Sequence, residues 1–398
     1  MPFEMGLWYK LEDSAREIFT NAGYKEVRTP IFEATELFAR GVGDTTDIVN
    51  KEMYTFEKNG RSLTLRPENT AGVVRAYIEN GMHRLPSPVK LWYKGAMFRY
   101  ERPQAGRQRQ FHQVGIELFG VKNPSADAEV IELALAYLRS LGLNDLTVEI
   151  NSLGCPSCRN KYKIRLKEVL KSYFKCLCDD CKNRYDKNPL RLLDCKSDAC
   201  REIFKKPDVS KVIQGDYICD DCSEHFELLQ KYLKCLNINY TVNKLLVRGL
   251  DYYNGTVFEI KSNNLGSQNA VCGGGRYDSL VKNLGGEDIP AVGFAMGMER
   301  LCSLMKQDEE KKLDALVVSN NKTETLKLVK FLRDNGKSAD FDFEGRKFAK
   351  QLEKAAKIAR YALILGDDEI AGGMVSVKNL EIFEQITVKR EDILKYVQ

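Results

Sequence analysis

Phe111-His112-Gln113-Val114-Gly115-Ile116-Glu117-Leu118-Phe119-Gly120 is the stretch whose reading decides the fold. Its residues alternate with period two, so His112, Val114, Ile116 and Leu118 share one face, and Gln113, Gly115 and Glu117 share the other. Alternation also marks Lys90–Tyr100, and the polar, Gly-containing stretch 101–110 separates the two runs. Two alternating runs joined by such a loop predict an antiparallel hairpin with a long tip. The face with Gln113, Gly115 and Glu117 has two readings that spacing does not separate. It is a site floor with side-chain-free space for a small polar ligand, or a solvent-exposed strand face. Helical spacing at Leu7–Phe19 and after Thr70, set beside hairpin strands, predicts an α+β antiparallel sheet and not a doubly wound parallel one.

The chain of 398 residues exceeds what one hydrophobic core usually serves, so two or three domains are expected. With 43% hydrophobic and 29% charged residues it falls among globular chains, and no apolar run reaches the ~20 residues of a membrane-spanning helix. A cytoplasmic enzyme is the expectation. The 61 Lys plus Arg against 56 Asp plus Glu give +5, too mild to identify a nucleic-acid binder by net charge. Punctuation divides the chain into 1–154, a cysteine-rich 155–235, a Gly-punctuated 236–306 and, after the polar run Lys306–Lys312, a final α/β segment 313–398.

Several segments suit anion chemistry. Arg99 precedes a tip carrying Arg102, Arg107 and Arg109 beside Gln104 and Gly106, and guanidinium groups pair bidentately with phosphate oxygens. An exposed basic loop is the plainer reading. In Leu65-Arg66-Pro67-Glu68-Asn69-Thr70-Ala71-Gly72, Glu68 and Thr70 stand at the start of a helix expected from about Ala71 to Asn80. They form either an ammonium site or a helix cap supplied by Thr70. Val247-Arg248-Gly249-Leu250-Asp251-Tyr252-Tyr253 and Cys272-Gly273-Gly274-Gly275-Arg276-Tyr277-Asp278 are the most unusual pair. Three consecutive glycines are expected where the backbone closely approaches a ligand or another strand. Gly293–Leu301 passes from a Gly-rich strand into a helix bearing Arg300.

Together these segments resemble the class II aminoacyl-tRNA synthetases, and within them the histidyl-tRNA synthetase family. Gly23–Pro30 is similar to the dimer-interface motif 1, Phe98–Glu101 with Phe111–Glu117 to motif 2, and Gly293–Leu301 to motif 3. The stretches 245–253 and 272–278 are similar to the two histidine-specific motifs. The resemblance implies a class II synthetase-like antiparallel catalytic sheet with flanking helices, its first part in 1–154 and its second in 236–306. It further implies a Cys-rich insertion, 155–235, and a C-terminal α/β anticodon-binding domain, 313–398. It implies a homodimer that uses ATP and Mg²⁺ to convert L-histidine to histidyl-adenylate and then charges tRNA(His). Glu68, Thr70 and Gln113 would hold the histidine ammonium; Glu117, Tyr253 and Tyr277 would surround the imidazole. Arg99 and Arg248 would contact the ATP α-phosphate and the substrate carboxylate, and Arg300 the γ-phosphate. The chain begins at a segment resembling the family's first helix, so the family's short lead strand is expected to be missing from it. A rival is the synthetase-like regulatory subunit of ATP phosphoribosyltransferase, which shares the fold without charging tRNA. It implies eroded histidine-specific motifs and no anticodon domain, whereas both are present here.

Ten of the twelve cysteines lie in 155–235. Cys155-x2-Cys158 and Cys178-x2-Cys181 have a spacing close to four-cysteine zinc sites, and Cys195-x4-Cys200 with Cys219-x2-Cys222 would close a second. The pairing across these four segments stays open, and Cys176 and His225 are spare candidates. Structural Zn²⁺ would staple an insertion read as poor in apolar residues. Along Arg346–Arg360, Phe348, Leu352, Ala355, Ala356 and Ala359 would form an apolar stripe, leaving Lys347, Lys350, Lys354 and Lys357 as a basic, tRNA-facing surface.

Overall fold

The alternating runs form the expected hairpin: Val89–Phe98 pairs antiparallel with Gln110–Phe119, Trp92 opposite Ile116 and Gly95 opposite Gln113. The structure, a computed structural model, describes residues 1–43, 46–101, 107–215, 217–263, 269–306 and 312–397. The chain divides into two compact units at residue 307.

In the first unit the hairpin lies within a sheet of eight described strands. Its order is Lys25–Glu26, Val89–Phe98, Gln110–Phe119, Ala291–Gly297, Ala270–Arg276, Thr256–Ser262, Leu146–Ser152, Thr241–Val242. The six inner strands pair antiparallel, and the two-residue strands at either edge pair parallel. Each sheet face has its own cover. Val114, Ile116 and Leu118 pack with Leu11 and Phe19 of the helix Met5–Asn21 and with Ile131 and Leu138 of the helix Ser125–Ser140. The opposite face, with Leu91, Tyr93 and Phe119, packs against Val73, Val74 and Tyr77 of the helix Thr70–Glu79. Truncating one such buried aromatic, as in Phe19→Ala, costs about 3–5 kcal/mol. A smaller antiparallel sheet, Phe32–Ala34, Arg61–Leu65 and Tyr54–Lys58, leads into Glu68.

The cysteine-rich segment is helical. Leu166, Leu170, Leu192, Ile203 and Phe204 are buried in the core beneath the second sheet face. That overturns the expectation of an insertion poor in apolar residues: its hydrophobes are spaced among Lys and Asp, which hides them from a compositional reading. Its last helix, Asp220–Cys235, instead buries Phe226, Leu229 and Leu233 in the core of the first face.

The second unit is a five-stranded sheet ordered Ala339–Phe341, Leu313–Ser319, Ala359–Leu365, Met374–Asn379, Gln385–Lys389. The first two pairings are parallel and the last two antiparallel. The helix Lys322–Asp334 covers one face through Leu328, Val329 and Leu332, while Ala355 of the helix Phe348–Ile358 packs on the other with Leu316 and Val318. The apolar stripe predicted along Arg346–Arg360 is corrected here. Phe348 and Ala356 are exposed, Gln351 and Ala355 face inward, and Ala359 already belongs to the next strand. Gln351 is drawn in because its amide bridges the Ser319 N–H and the Arg346 carbonyl. The connector Lys306–Lys312 lies largely outside the described residues.

Candidate active site

A cavity of about 260 Å³ is lined by Glu68, Thr70, Gln113, Arg99, Arg248, Tyr253 and Arg300, gathering seven of the nine ligand residues expected of the catalytic part. Sheet register makes this possible: Gln113 pairs with Gly297, three residues before Arg300, and Cys272 pairs with Met296 on the same strand.

Glu68 sits at the start of the helix Thr70–Glu79, where its carboxylate accepts the N–H groups of Thr70 at 2.7 Å and Ala71 at 2.9 Å. Glu68 therefore caps this helix, correcting the reading in which Thr70 did so; a carboxylate two residues earlier reaches two of the unpaired amides at once. Burial pushes the Glu68 carboxyl up, opposed by those two amides. The Thr70 hydroxyl turns elsewhere and donates to Glu117 Oε1 at 2.7 Å. Glu117 also accepts from the Tyr277 hydroxyl. Neither Glu117 nor Tyr277 lines the cavity; both lie behind Thr70, 1% exposed. Burial raises the Glu117 carboxyl to about 8, so at pH 7 it is mostly neutral. The side-chain-free space expected at Gly115 is filled by the protein. A Cβ there would lie 2.4 Å from the Phe294 carbonyl and 2.6 Å from the Tyr93 hydroxyl.

Arg248 lies across the glycine run. A Cβ on Gly273 would fall 1.7 Å from its Nη2, so the glycine makes room for a guanidinium. Its Nη1 donates to Glu259. Burial alone would weaken its hold on the proton, but Glu259 and Tyr253 more than compensate and keep it above the ordinary arginine value. The Tyr253 hydroxyl is raised by burial to about 12. Arg99 donates Nε to the Pro67 carbonyl at 2.8 Å and lies over the Phe111 ring, 5.1 Å from its centroid. Arg300 donates to the Ala270 carbonyl at 2.8 Å; burial, with Arg107 nearby, lowers its proton affinity. Of the basic tip, Arg107 lines the cavity and pairs with Glu101 at 3.0 Å, while Arg109 stacks on Tyr100 away from it. Arg102, Gln104 and Gly106 lie outside the described residues.

Four contributors escaped the sequence reading: Phe111, Glu259 and the cavity carboxylates Glu101 and Glu299. Phe111 shares the period-two face of Gln113, so the alternation already contained it. Glu259, the partner of Arg248, carried only a weak signal, one carboxylate in a strand that also holds Thr256, Lys261 and Ser262. Arg276, within CGGGRYD, is structural: it pairs with the buried Asp127 and with Asp278.

The cysteines form two groups, Cys155, Cys158, Cys219 and Cys222, and Cys178, Cys181, Cys195 and Cys200; within each, the sulfurs lie within 4.8 Å of one another. The outermost pairs thus meet each other and enclose the inner two, a choice of partners that the sequence had left open. Cys176 is exposed, and His225 faces Asp127 at 3.5 Å, so neither joins a group.

An antiparallel sheet of this order, with Arg99, Arg248 and Arg300 converging on one cavity, defines a class II aminoacyl-tRNA synthetase catalytic domain. A family model described as Histidyl-tRNA synthetase matches residues 2–156 and 207–301, and one described as Anticodon binding domain matches 314–398. A histidine–tRNA ligase of Halothermothrix orenii is 48% identical, over 98% of this chain and 95% of its own length. One of Thermosipho melanesiensis is 50% identical over 98% and 94%. The crystal structure of apo S. aureus histidyl-tRNA synthetase superposes with a TM-score of 0.80 at 36% identity, covering 98% and 95% of the two chains. The chain belongs to the histidyl-tRNA synthetase family.

Proposed function

We propose that this chain is a histidine–tRNA ligase that activates L-histidine with ATP and transfers it to the 3′ end of tRNA(His). The observation that carries this reading is the cavity itself, where Arg99, Arg248 and Arg300 converge beside Glu68 and Gln113. A histidine carboxylate oxygen attacks the α-phosphorus and pyrophosphate leaves, bringing two anions together. Fixed cations answer that need without reorganising during the reaction. Arg99 and Arg248 take the α-phosphate and carboxylate, and Arg300 the γ-phosphate. Glu68, Thr70 and Gln113 receive the ammonium. Tyr253 lines the imidazole space, with Glu117 and Tyr277 acting from behind Thr70. A neutral imidazole both donates and accepts, so a carboxyl and phenols distinguish it from apolar side chains. The terminal ribose hydroxyl of tRNA then attacks the histidyl carbonyl, and AMP leaves.

The cavity also holds the carboxylates of Glu101 and Glu299, oxygen donors of the kind Mg²⁺ requires. When bound with ATP, Mg²⁺ neutralises the outer phosphates. The eight grouped cysteines are assigned structural Zn²⁺, which accepts four thiolates tetrahedrally. Residues 1–154 and 236–306 form the catalytic domain around the insertion 155–235, and 313–398 bind the anticodon arm. The homodimer assembles through the region of Gly23–Pro30. No helix among the described residues is long and apolar enough to cross a membrane. ATP–pyrophosphate exchange with each of the twenty amino acids tests the substrate: exchange is expected with histidine alone, and equal exchange with another amino acid refutes the assignment.

A further inference from the structure

The two cysteine groups carry the marks of metal sites. Cys155 and Cys158 sulfurs stand 3.5 Å apart, and those of Cys178 and Cys195 3.7 Å. A disulfide needs ~2.05 Å. Thiolates at about 2.3 Å from a central Zn²⁺ lie about 3.8 Å apart at the corners of a tetrahedron. Backbone amides also point at the sulfurs: Cys155 N–H to Cys222 at 3.2 Å, Cys219 N–H to Cys158 at 3.1 Å, and Cys178 N–H to Cys200 at 3.3 Å. Such donors stabilise bound thiolates. Cys155, Cys178 and Cys219 each stand immediately before the first residue of a helix, where the helix dipole favours a negative sulfur.

Both groups reach the same turn. Arg159, directly after Cys158, donates Nη1 to the carbonyls of Asp251 at 3.0 Å and Tyr253 at 2.9 Å. From the other group, Asn188, between Cys181 and Cys195, donates Nδ2 to the Asp251 carboxylate at 2.6 Å. In the same segment Arg184 and Arg191 pair with Asp47 at 3.0 and 3.2 Å. The Asp251 N–H in turn donates to the Val42 carbonyl at 3.0 Å. The turn that carries Tyr253 onto the cavity wall is therefore held by a side chain from each cysteine group and by the catalytic backbone.

We propose that the two clusters are Zn²⁺ sites whose task is to position the Asp251–Tyr253 turn, with Arg159 and Asn188 as the positioning residues. Histidine affinity then depends on metal bound away from the reacting phosphorus. This rests on the assignment of zinc to the cysteine groups, and the test separates the two. Full-length protein is purified without chelator or affinity metal, analysed for zinc, and assayed by pyrophosphate exchange with histidine and ATP varied separately. Arg159→Ala and Asn188→Ala are expected to keep two zinc ions per chain and to raise the histidine KM on the order of 10-fold, less than the ~10²-fold of a full 1 Å misplacement because each removes only part of the turn's support. ATP KM should stay within about 2-fold, and Arg159→Lys should recover most of the histidine KM. Cys178→Ser should lose one ion and show the same split. Folded, reduced parent protein lacking zinc overturns the zinc assignment. Two ions per chain with an unchanged histidine KM in Arg159→Ala and Asn188→Ala overturns the positioning role. Those two variants leave every cysteine intact, so they decide the matter even if Cys178→Ser does not fold.

Discussion

Replacing Gly273 with alanine separates the position of Arg248 from its presence. The added methyl would stand 1.7 Å from Nη2 and 2.4 Å from the central carbon of the guanidinium. Nonbonded carbon needs about 3.5 Å, so the guanidinium must retreat by nearly 2 Å while the charge stays in the protein. The obstructing atoms end a flexible side chain, so the side chain and not the strand gives way. A misplacement of about 1 Å at a reacting centre costs on the order of 10²-fold, so Gly273→Ala should lower the rate of histidine-dependent pyrophosphate exchange by at least ~10²-fold. The same substitution relieves a glycine in a strand, where glycine is worth roughly 0.5–1 kcal/mol less than alanine. Loosening the Arg248–Glu259 pair offsets that gain, so thermal unfolding should stay within a few degrees of the parent. Loss of activity with stability retained is the expected signature. Exchange within a few-fold of the parent refutes the reasoning that the location of Arg248 matters.

Arg248→Ala removes the cation and should lower activation by at least ~10²-fold, the usual order for one charge-stabilising donor; exchange near the parental rate in folded protein would remove Arg248 from the mechanism. Deleting 313–398 should leave histidine-dependent exchange largely present and sharply weaken tRNA charging, since the cavity residues all lie in the first unit; equal loss of both activities in folded protein contradicts that division. Glu117 binds its proton more tightly in the folded chain, about 8 against an ordinary 4.5. Its stabilising contribution is thus full below about pH 4.5 and is lost as pH rises through about 8. Glu117→Gln should flatten the unfolding free energy over that window by up to ~1.4 kcal/mol per pH unit; identical pH profiles for parent and variant count against the burial argument.

The hairpin was legible because alternation over ten residues has one physical cause, a sheet with unlike faces, and Val114, Ile116 and Leu118 all bury as that rule demands. The cavity residues were legible as residue types because phosphate and ammonium recognition draws on few side chains. Their division into layers was not. Glu117 stands behind Thr70, which donates to it, while Tyr93 fills the space beside Gly115, and neither long-range contact is written in the alternation. Glu68 displaced Thr70 as the helix cap for a similar reason: short polar side chains near one helix start compete for the same amides. Cysteine pairing was illegible because spacing within each pair reports a local turn, whereas the choice of partner pair is made by helices that pack later.

The enclosure of one cysteine group by the other sets an order of assembly. Cys178 and Cys195 are separated by 17 positions, Cys155 and Cys222 by 67. Closing the shorter loop costs about 1 kcal/mol less conformational entropy than closing the longer one. During synthesis the inner four sulfurs also emerge together, while Cys155 and Cys158 wait for Cys219 and Cys222. The inner group can therefore close while the chain is still growing, and it carries Asn188 with it. The outer group closes only when the helix Asp220–Cys235 arrives to bury Phe226 and Leu229. A nascent chain stalled between these two events would hold one finished knuckle and, besides the unassigned Cys176, the two thiols Cys155 and Cys158 still awaiting their partners.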